Sequence, residues 1–256
     1  MIPFRAPRRA RGAPVAPRGR RVFTATRLAR VMATAGLAMT TIAGALGAQT
    51  APFPQVDRPV APIVTPAYST EAARDAHGEA NRVMDRLGIK PGMRVADVGA
   101  GDGYYTVRLA KRVAPSGVVY AEDVTGPYLD HLAERIAREH LADVTLVRGL
   151  PADPRLPEKS VDVALLAHMY HEVQQPYEFL YRLGSALALG ARVAIIDNDK
   201  PTGEHGTPPD LLRCELGAVG YREIDFLWLA PADGYLAVFA APAVLPRPDS
   251  IRPCRR

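Results

Sequence analysis

The sequence is poor in the residues that hold small disulfide-rich or metal-cluster proteins together. It has only two cysteines, Cys214 and Cys254, and one tryptophan in 256 residues. Two cysteines exclude a framework of several disulfides and a cysteine-based zinc cluster. They can form one disulfide in an oxidising compartment or remain as two free thiols. The fold must therefore depend on a hydrophobic core. Hydrophobic residues make up 48% of the chain, which is sufficient to form one.

Acidic residues are absent from the first 48 positions, which contain nine arginines. This segment and the basic end of the chain from Pro242 raise the net charge to +5, although the body between them is acidic. An acidic body has no basic face for nucleic-acid phosphates. We therefore expect no nucleic-acid partner.

The chain also lacks an uncharged run long enough for a comfortable membrane span. The N-terminal apolar run, residues 31–48, is slightly short for that purpose and consists mostly of small residues. With arginines before it and Ala45-Leu46-Gly47 near its end, the run is typical of a signal peptide for export to the periplasm. An uncleaved leader would instead anchor the protein at the membrane. A mis-assigned start would leave it in the cytoplasm.

The leader covers residues 1–48, and the chain that follows it divides into three parts. Residues 49–68 are proline-rich and predict an extended linker, residues 69–241 predict one folded domain, and residues 242–256 predict a basic flexible tail. Within the domain, the first pattern predicts a single helix that is capped by Ser69 or Thr70 and ends before Gly88.

Strand and helix patterns alternate through the domain. This alternation predicts an α/β fold with a doubly wound, Rossmann-like sheet of seven mostly parallel strands. The last two strands, near residues 224–229 and 235–240, are separated by Pro231-Ala232-Asp233-Gly234, which is typical of a turn. They predict a terminal antiparallel hairpin. Ligands bind such sheets beyond the carboxyl ends of the parallel strands.

A glycine-rich turn follows the first strand of the domain. The residues Gly99-Ala100-Gly101-Asp102-Gly103 lie between a short apolar strand and a helix. Glycines there let the backbone approach a ligand closely. The dinucleotide-binding pattern requires a further glycine where Tyr104 stands. Asp97 would repel a pyrophosphate and favours a cationic ligand, so a nicotinamide-dependent enzyme is disfavoured.

The stretch VADVGAGDGYYTVRLA, residues 95–110, resembles motif I of the class I S-adenosylmethionine (SAM)-dependent methyltransferases. The similarity extends over about residues 70–241. It implies that SAM is the cofactor, that the glycine turn contacts its methionine part, and that an acid after the second strand binds its ribose hydroxyls. The corresponding residues are Asp97, Gly99, Ala100, Gly101 and Gly103 for the turn and Asp123 for the ribose, with Glu122 one position away.

Two further cofactor contacts follow from the same resemblance. The family often has an acidic residue near the adenine after the third strand, and the first acid in that place here is Asp153. The fourth strand ends at Ala167, on the side of the sheet where the cofactor is expected. Asp153 and Ala167 complete the predicted cofactor site.

The stretch that follows the fourth strand carries the candidates for catalysis. In the methyltransferases that this sequence resembles, the stretch faces the methyl group and the substrate. Here it contains His168, Tyr170 and His171. Any of the three could accept a proton from an attacking oxygen or nitrogen. The alternative is that one histidine packs and the other binds a neighbouring loop. The similarity to methyltransferases of quinones, lipids and other metabolites implies a small-molecule acceptor.

A second function is compatible with the same sequence, because SAM is a cytoplasmic metabolite and the leader indicates export. That alternative is an exported, non-catalytic protein that binds SAM or a partner on the methyltransferase fold. A metal site is not expected. His171-Glu172 does not begin a zinc-protease motif, since position 175 is glutamine. His168 and His171 alone are too few ligands, and the only candidates nearby are Asp197, Asp199 and His205.

Overall fold

The computed structural model describes residues 53–63, 70–229 and 233–254. The predicted leader, with its apolar run over residues 31–48, lies outside the described residues. Within the described ranges, no helix is both long and apolar enough to cross a membrane.

The described residues contain seven strands and six α-helices in an alternating order. The strands are β1 (Arg94–Val98), β2 (Val118–Asp123), β3 (Val144–Arg148), β4 (Val161–Ala167), β5 (Leu187–Asp197), β6 (Arg222–Trp228) and β7 (Tyr235–Ala240). The helices are α1 (Glu71–Ala76), α2 (Glu79–Arg86), α3 (Tyr104–Val113), α4 (Gly126–Arg138), α5 (Pro176–Ala186) and α6 (Pro209–Ala218).

The seven strands form one sheet in the order β3-β2-β1-β4-β5-β7-β6. The strands β1 to β5 pair in parallel, and β7 pairs antiparallel with both β5 and β6. The predicted doubly wound sheet with a terminal antiparallel hairpin is confirmed. The strand order reverses between β1 and β4, so the crevice for a ligand opens at the carboxyl ends of these two central strands.

The first helix of the domain differs from its prediction. Thr70 caps α1, since its hydroxyl accepts a hydrogen bond from the backbone N–H of Ala73 at 3.2 Å. The predicted single helix is nevertheless divided, because Gly78 adopts the left-handed conformation with φ of 64° and separates α1 from α2. Glycine adopts this conformation without the strain that a residue with a Cβ atom would have, so the chain can turn between the two short helices.

The central strands are buried on both faces, which explains their continuous apolar sequences. On one face, α5 and α6 pack against the sheet through residues such as Leu180 and Leu216. On the other face, α2 and α3 pack through residues such as Val83 and Leu109. The two layers place the carboxyl ends of the strands, rather than their faces, in contact with solvent.

Residues 53–63, which fall in the predicted linker, lie against the domain. Arg58 forms an ion pair with Glu215 of α6 at 2.8 Å, and both side chains are 2% exposed. The hydroxyl of Tyr170 donates to the same carboxylate at 2.8 Å. The backbone N–H of Ala61 donates to the carbonyl oxygen of His171 at 3.2 Å. This segment therefore reaches the stretch that follows β4.

We expect Arg58→Ala to lower the free energy of unfolding by about 3 kcal/mol, because it leaves the buried carboxylate of Glu215 without its counter-ion. Arg86→Ala is the matched control. It removes an arginine from a solvent-exposed pair with Asp225, and such pairs contribute little to stability. Urea denaturation of both variants measures the difference. Equal losses would contradict a structural role for the buried pair.

The C-terminal residues are also in contact with the domain, although the sequence predicts a flexible tail. Cys254 forms a disulfide with Cys214 of α6. Ile251 is buried, and the backbone N–H of Cys254 donates to the hydroxyl of Tyr177 at 2.8 Å. Of the two possibilities left open by the sequence, a bridge and two free thiols, the structure has the bridge.

Candidate active site

A cavity of about 380 Å³ lies at the carboxyl ends of β1, β2 and β4. Among the described residues that line it, eight are acidic and one is an arginine, Arg74. A negatively charged concave surface attracts cations and repels phosphate groups. The cavity is therefore suited to a ligand that carries positive charge.

The floor of the cavity is the glycine turn between β1 and α3. Gly99 and Gly103 have φ values of 70° and 86°, a region that residues with a side chain rarely adopt. An added Cβ on Gly99 would come within 2.8 Å of the Met169 side chain, and one on Gly103 would overlap Leu132. Both glycines are required for the turn to fit between β4 and α4.

Asp97 is buried directly beneath this turn, at the penultimate position of β1. Its carboxylate accepts a hydrogen bond from the Thr106 hydroxyl at 2.6 Å. Burial raises the pKa of Asp97 to about 6, an effect that the Thr106 hydrogen bond partly opposes. A nearby cation would stabilise the ionised form.

Two carboxylates, Glu122 and Asp123, lie side by side at the end of β2. Asp123 accepts hydrogen bonds from the backbone N–H groups of Gly101 at 2.9 Å and Thr125 at 2.7 Å. Glu122 accepts from the N–H of Gly99 at 3.3 Å through Oε2. Its other oxygen, Oε1, is buried and has no hydrogen-bond partner among the described residues. Burial, and next the charge of Asp123, raise the pKa of Glu122 to about 8.

Glu122 has room for its side chain because position 149 is a glycine. A Cβ on Gly149 would overlap Oε1 of Glu122. A buried carboxyl oxygen without a partner is costly unless a ligand supplies a donor. The sequence places Glu122 one position from the expected ribose residue, and the glycine after β3 is the signal that could have directed attention to it.

Six of the eight predicted cofactor residues line the cavity. They are Asp97, Gly99, Ala100, Gly101, Asp123 and Ala167. Gly103 lies at the start of α3, outside the lining. Asp153 is also outside it, where its carboxylate accepts from the N–H of Arg155 at 2.8 Å. Leu150 and Pro151 occupy the corresponding wall instead.

The three predicted catalytic residues do not face the same way. His168 lines the cavity and has a left-handed backbone with φ of 56°. Burial, and next the charge of Arg74, lower the pKa of His168, so its imidazole is neutral at pH 7. His171 lines the cavity as well. The Tyr170 hydroxyl instead points into the core, where it donates to Glu215.

His171 is held by a buried carboxylate at the end of β5. Its Nδ1 lies 2.9 Å and 3.1 Å from the two oxygens of Asp197. Asp197 also accepts hydrogen bonds from the Thr207 hydroxyl at 2.7 Å and from the backbone N–H of Asn198 at 2.8 Å. These contacts fix the orientation of the imidazole ring.

Helices α1 and α2 contribute one wall of the cavity, a feature that does not follow from the sequence patterns. Arg74 forms an ion pair with the buried Glu79 at 2.6 Å, and its guanidinium lies 3.7 Å from the centre of the Tyr104 ring. The Tyr105 hydroxyl donates to Glu79 at 2.8 Å. The Tyr-Tyr pair at the start of α3 was the available signal, because buried tyrosine hydroxyls require partners.

The sequence of this region is similar to known methyltransferases. Residues 95–190 match the family model of a methyltransferase domain. Over 119 residues the chain is 25% identical to demethylmenaquinone methyltransferase from Geobacillus sp.. The aligned region covers 46% of this chain and 51% of that protein. Over 84 residues the chain is 36% identical to nocamycin O-methyltransferase from Saccharothrix syringae, covering 33% and 30%. The chain thus spans about half the length, or less, of these curated relatives.

The fold is similar to that of solved structures as well. A SAM-dependent methyltransferase from Aquifex aeolicus is 27% identical, with a TM-score of 0.58 over 64% of this chain and 88% of that one. A possible exported protein from Bordetella parapertussis is 16% identical, with a TM-score of 0.55 over 67% and 68%. The second likeness concerns the fold alone.

Proposed function

We propose that the protein is a class I, SAM-dependent methyltransferase that transfers a methyl group from SAM to a small-molecule acceptor, since residues 95–190 match the model of a methyltransferase domain. The observation that carries this proposal is the acidic cavity at the glycine turn, with Asp97 buried beneath it. SAM carries a sulfonium and an ammonium group, and both are cations. When bound, it supplies an electrophilic methyl group.

The residues at the glycine turn fit the methionine part of this cofactor. Gly99, Ala100 and Gly101 present backbone rather than bulky side chains to the cavity, and a Cβ on Gly101 would meet nothing within 4 Å. Asp97 places a carboxyl group next to this open space. We assign these residues to the amino-acid end of SAM, with Asp97 balancing its positive charge.

The carboxylates at the end of β2 fit the ribose. Asp123 is held in place by two backbone N–H groups, and Glu122 has one oxygen that lacks a donor. Ribose hydroxyl groups can donate to such oxygens. We therefore assign the ribose to Glu122 and Asp123 together. For the adenine we favour the apolar wall at Leu150 and Pro151 over the predicted contact with Asp153.

We assign proton acceptance to His168. Its imidazole lines the cavity at the end of β4, and its lowered pKa keeps it neutral and able to accept a proton near pH 7. Tyr170 is less suited, because burial and the nearby Glu215 hold the pKa of its hydroxyl well above the usual value. A small acceptor is favoured by the volume of the cavity, about 380 Å³, and by the curated relatives, which are named for demethylmenaquinone and nocamycin.

Titration of the full chain with SAM and with NAD⁺, followed by transfer of labelled methyl groups into a bacterial extract, tests the function. We expect binding of SAM only, and label in the small-molecule fraction. Label confined to protein or nucleic acid would contradict the proposed acceptor class. An absence of SAM binding would overturn the function itself, and SAM binding without transfer would favour the non-catalytic alternative.

The same assay tests His168. We expect His168→Gln to lower the initial rate of labelled methyl transfer at saturating SAM by about 100-fold, which is typical for the loss of a proton acceptor, and to leave the SAM dissociation constant within a factor of about three. His131→Gln is the control, because His131 lies on the outer surface of α4 with 69% of its side chain exposed. A transfer rate within about twofold of the wild-type rate would show that His168 does not accept the proton.

We also propose that the protein is exported. The leader pattern over residues 1–48 supports this location, and so does the disulfide between Cys214 and Cys254, since such bonds persist in oxidising compartments and are rare in the cytosol. Detection of the protein in periplasmic or secreted fractions tests the proposal. Recovery in the cytosol with reduced cysteines would contradict it.

A further inference from the structure

Three potential metal ligands meet on one wall of the cavity. His171, Glu172 and His205 each offer one ligand atom, and the three atoms lie within 4.8 Å of one another. All three residues line the cavity, and the two imidazole rings are perpendicular with their centres 5.4 Å apart. Two imidazoles and one carboxylate form a set of donors that proteins use for Zn²⁺.

An independent feature prepares His171 for this role. Metal-binding histidines commonly donate the N–H of their second ring nitrogen to a carboxylate, which orients the ring. Asp197 occupies that place at Nδ1 of His171, and it is itself fixed by Thr207 and the backbone of Asn198. With Nδ1 donating to Asp197, Nε2 is the nitrogen that is left to bind a cation.

The loop that carries His205 is also held in an unusual conformation. His205 has φ of 57° and ψ of 55°, which is left-handed and costs energy for a residue other than glycine. The loop is held in place by the hydrogen bond from the Thr207 N–H to the carbonyl oxygen of Asn198 at 2.8 Å. The backbone thus keeps the imidazole of His205 beside His171.

We propose that His171, Glu172 and His205 bind a divalent cation of the Zn²⁺ class, with Asp197 orienting His171. Three protein ligands leave a fourth position of a tetrahedral site open. Since the three side chains line the cavity, that position would be accessible to an oxygen or nitrogen atom of the acceptor. This use of the metal rests on the proposed function, whereas binding of the metal does not. The sequence predicts no metal site, and its candidate ligands near His171 are Asp197, Asp199 and His205 but not Glu172.

Direct metal binding tests the proposal. The full chain is purified without a histidine tag, stripped with a chelator and titrated with Zn²⁺, and the bound metal is measured after dialysis. We expect one Zn²⁺ per chain. Bound Co²⁺ should give visible absorption whose intensity indicates a four- or five-coordinate site.

Four variants assign the ligands. Asp197→Asn should weaken Zn²⁺ binding by roughly 10- to 100-fold, as expected for a residue that orients a ligand. His205→Ala and Glu172→Gln should weaken it at least as much. His131→Ala, which removes a histidine outside the cavity, should leave the affinity unchanged. His205 and Glu172 are only partly buried, so their variants carry the test if Asp197→Asn does not fold.

Less than stoichiometric Zn²⁺ in the wild type, or equal losses in His131→Ala and His205→Ala, would overturn the metal site. SAM binding is measured on the same samples. Intact SAM binding without Zn²⁺ would overturn the metal site and leave the proposed function in place. Zn²⁺ binding without SAM binding would overturn the proposed function and leave the metal site in place.

Discussion

SAM should bind this protein more tightly as the pH rises from 5 to 7, and its binding should release a proton. The reason is the buried carboxyl group of Asp97, whose pKa is about 6 in the protein without ligand. A cationic ligand favours the ionised form, so below pH 6 binding must first remove a proton. For this one group the affinity should rise roughly tenfold over the interval. Glu122, with a pKa of about 8, extends the effect to higher pH if it also ionises.

Calorimetry in two buffers of different ionisation enthalpy measures the released protons directly. Asp97→Asn should lower the SAM affinity at pH 7 by about 3 kcal/mol, or more than 100-fold, and should flatten its pH dependence. Asp130→Asn is the matched control, since Asp130 is exposed on α4 and its loss changes the net charge equally. A flat pH profile in the wild type would mean that Asp97 is already ionised in the protein without ligand.

Loss of the disulfide should have the largest effect on stability. Cys214 and Cys254 are 40 residues apart, and a loop of that length restricts the unfolded chain by about 4 kcal/mol. The double variant Cys214→Ser/Cys254→Ser should therefore melt about 10 °C below the wild type in a domain of this size.

A reductant provides the control for this prediction. It should lower the melting temperature of the wild type to that of the double variant, and it should have no effect on the double variant itself. Mass spectrometry of the native protein after alkylation reports the thiols. Two alkylated cysteines in the freshly isolated protein would contradict the bridge.

The fold could be predicted from the sequence because its signals are local. Strand and helix patterns repeat along the chain, and β4 ends at Ala167 as predicted. The division of the first helix was missed, since a glycine such as Gly78 is tolerated inside a helical pattern. Only the left-handed backbone of Gly78 distinguishes a glycine between two helices from a glycine inside one helix.

The candidate site was predictable only where a motif encodes it. The glycine turn and Asp97 follow from one short stretch. The different directions of Tyr170 and His171 do not, because both follow the end of β4 and their partners, Glu215 and Asp197, are distant in sequence. Glu122 and Asp123 are neighbours in the sequence, but of the two it is Glu122 that has an oxygen without a hydrogen-bond partner in the part of the chain that the structure describes. Long-range packing decides this difference, so the sequence does not show it.

The order in which the chain is synthesised bears on the docking of residues 53–63. Arg58 pairs with Glu215, which lies 157 residues further along the chain. Because synthesis begins at the N-terminus, this segment must wait for α6 before its charge has a buried partner. Closing so long a loop is slow compared with local helix formation. Residues 53–63 should thus be among the last parts of the chain to join the folded domain, although they are among the first of the described residues to be synthesised.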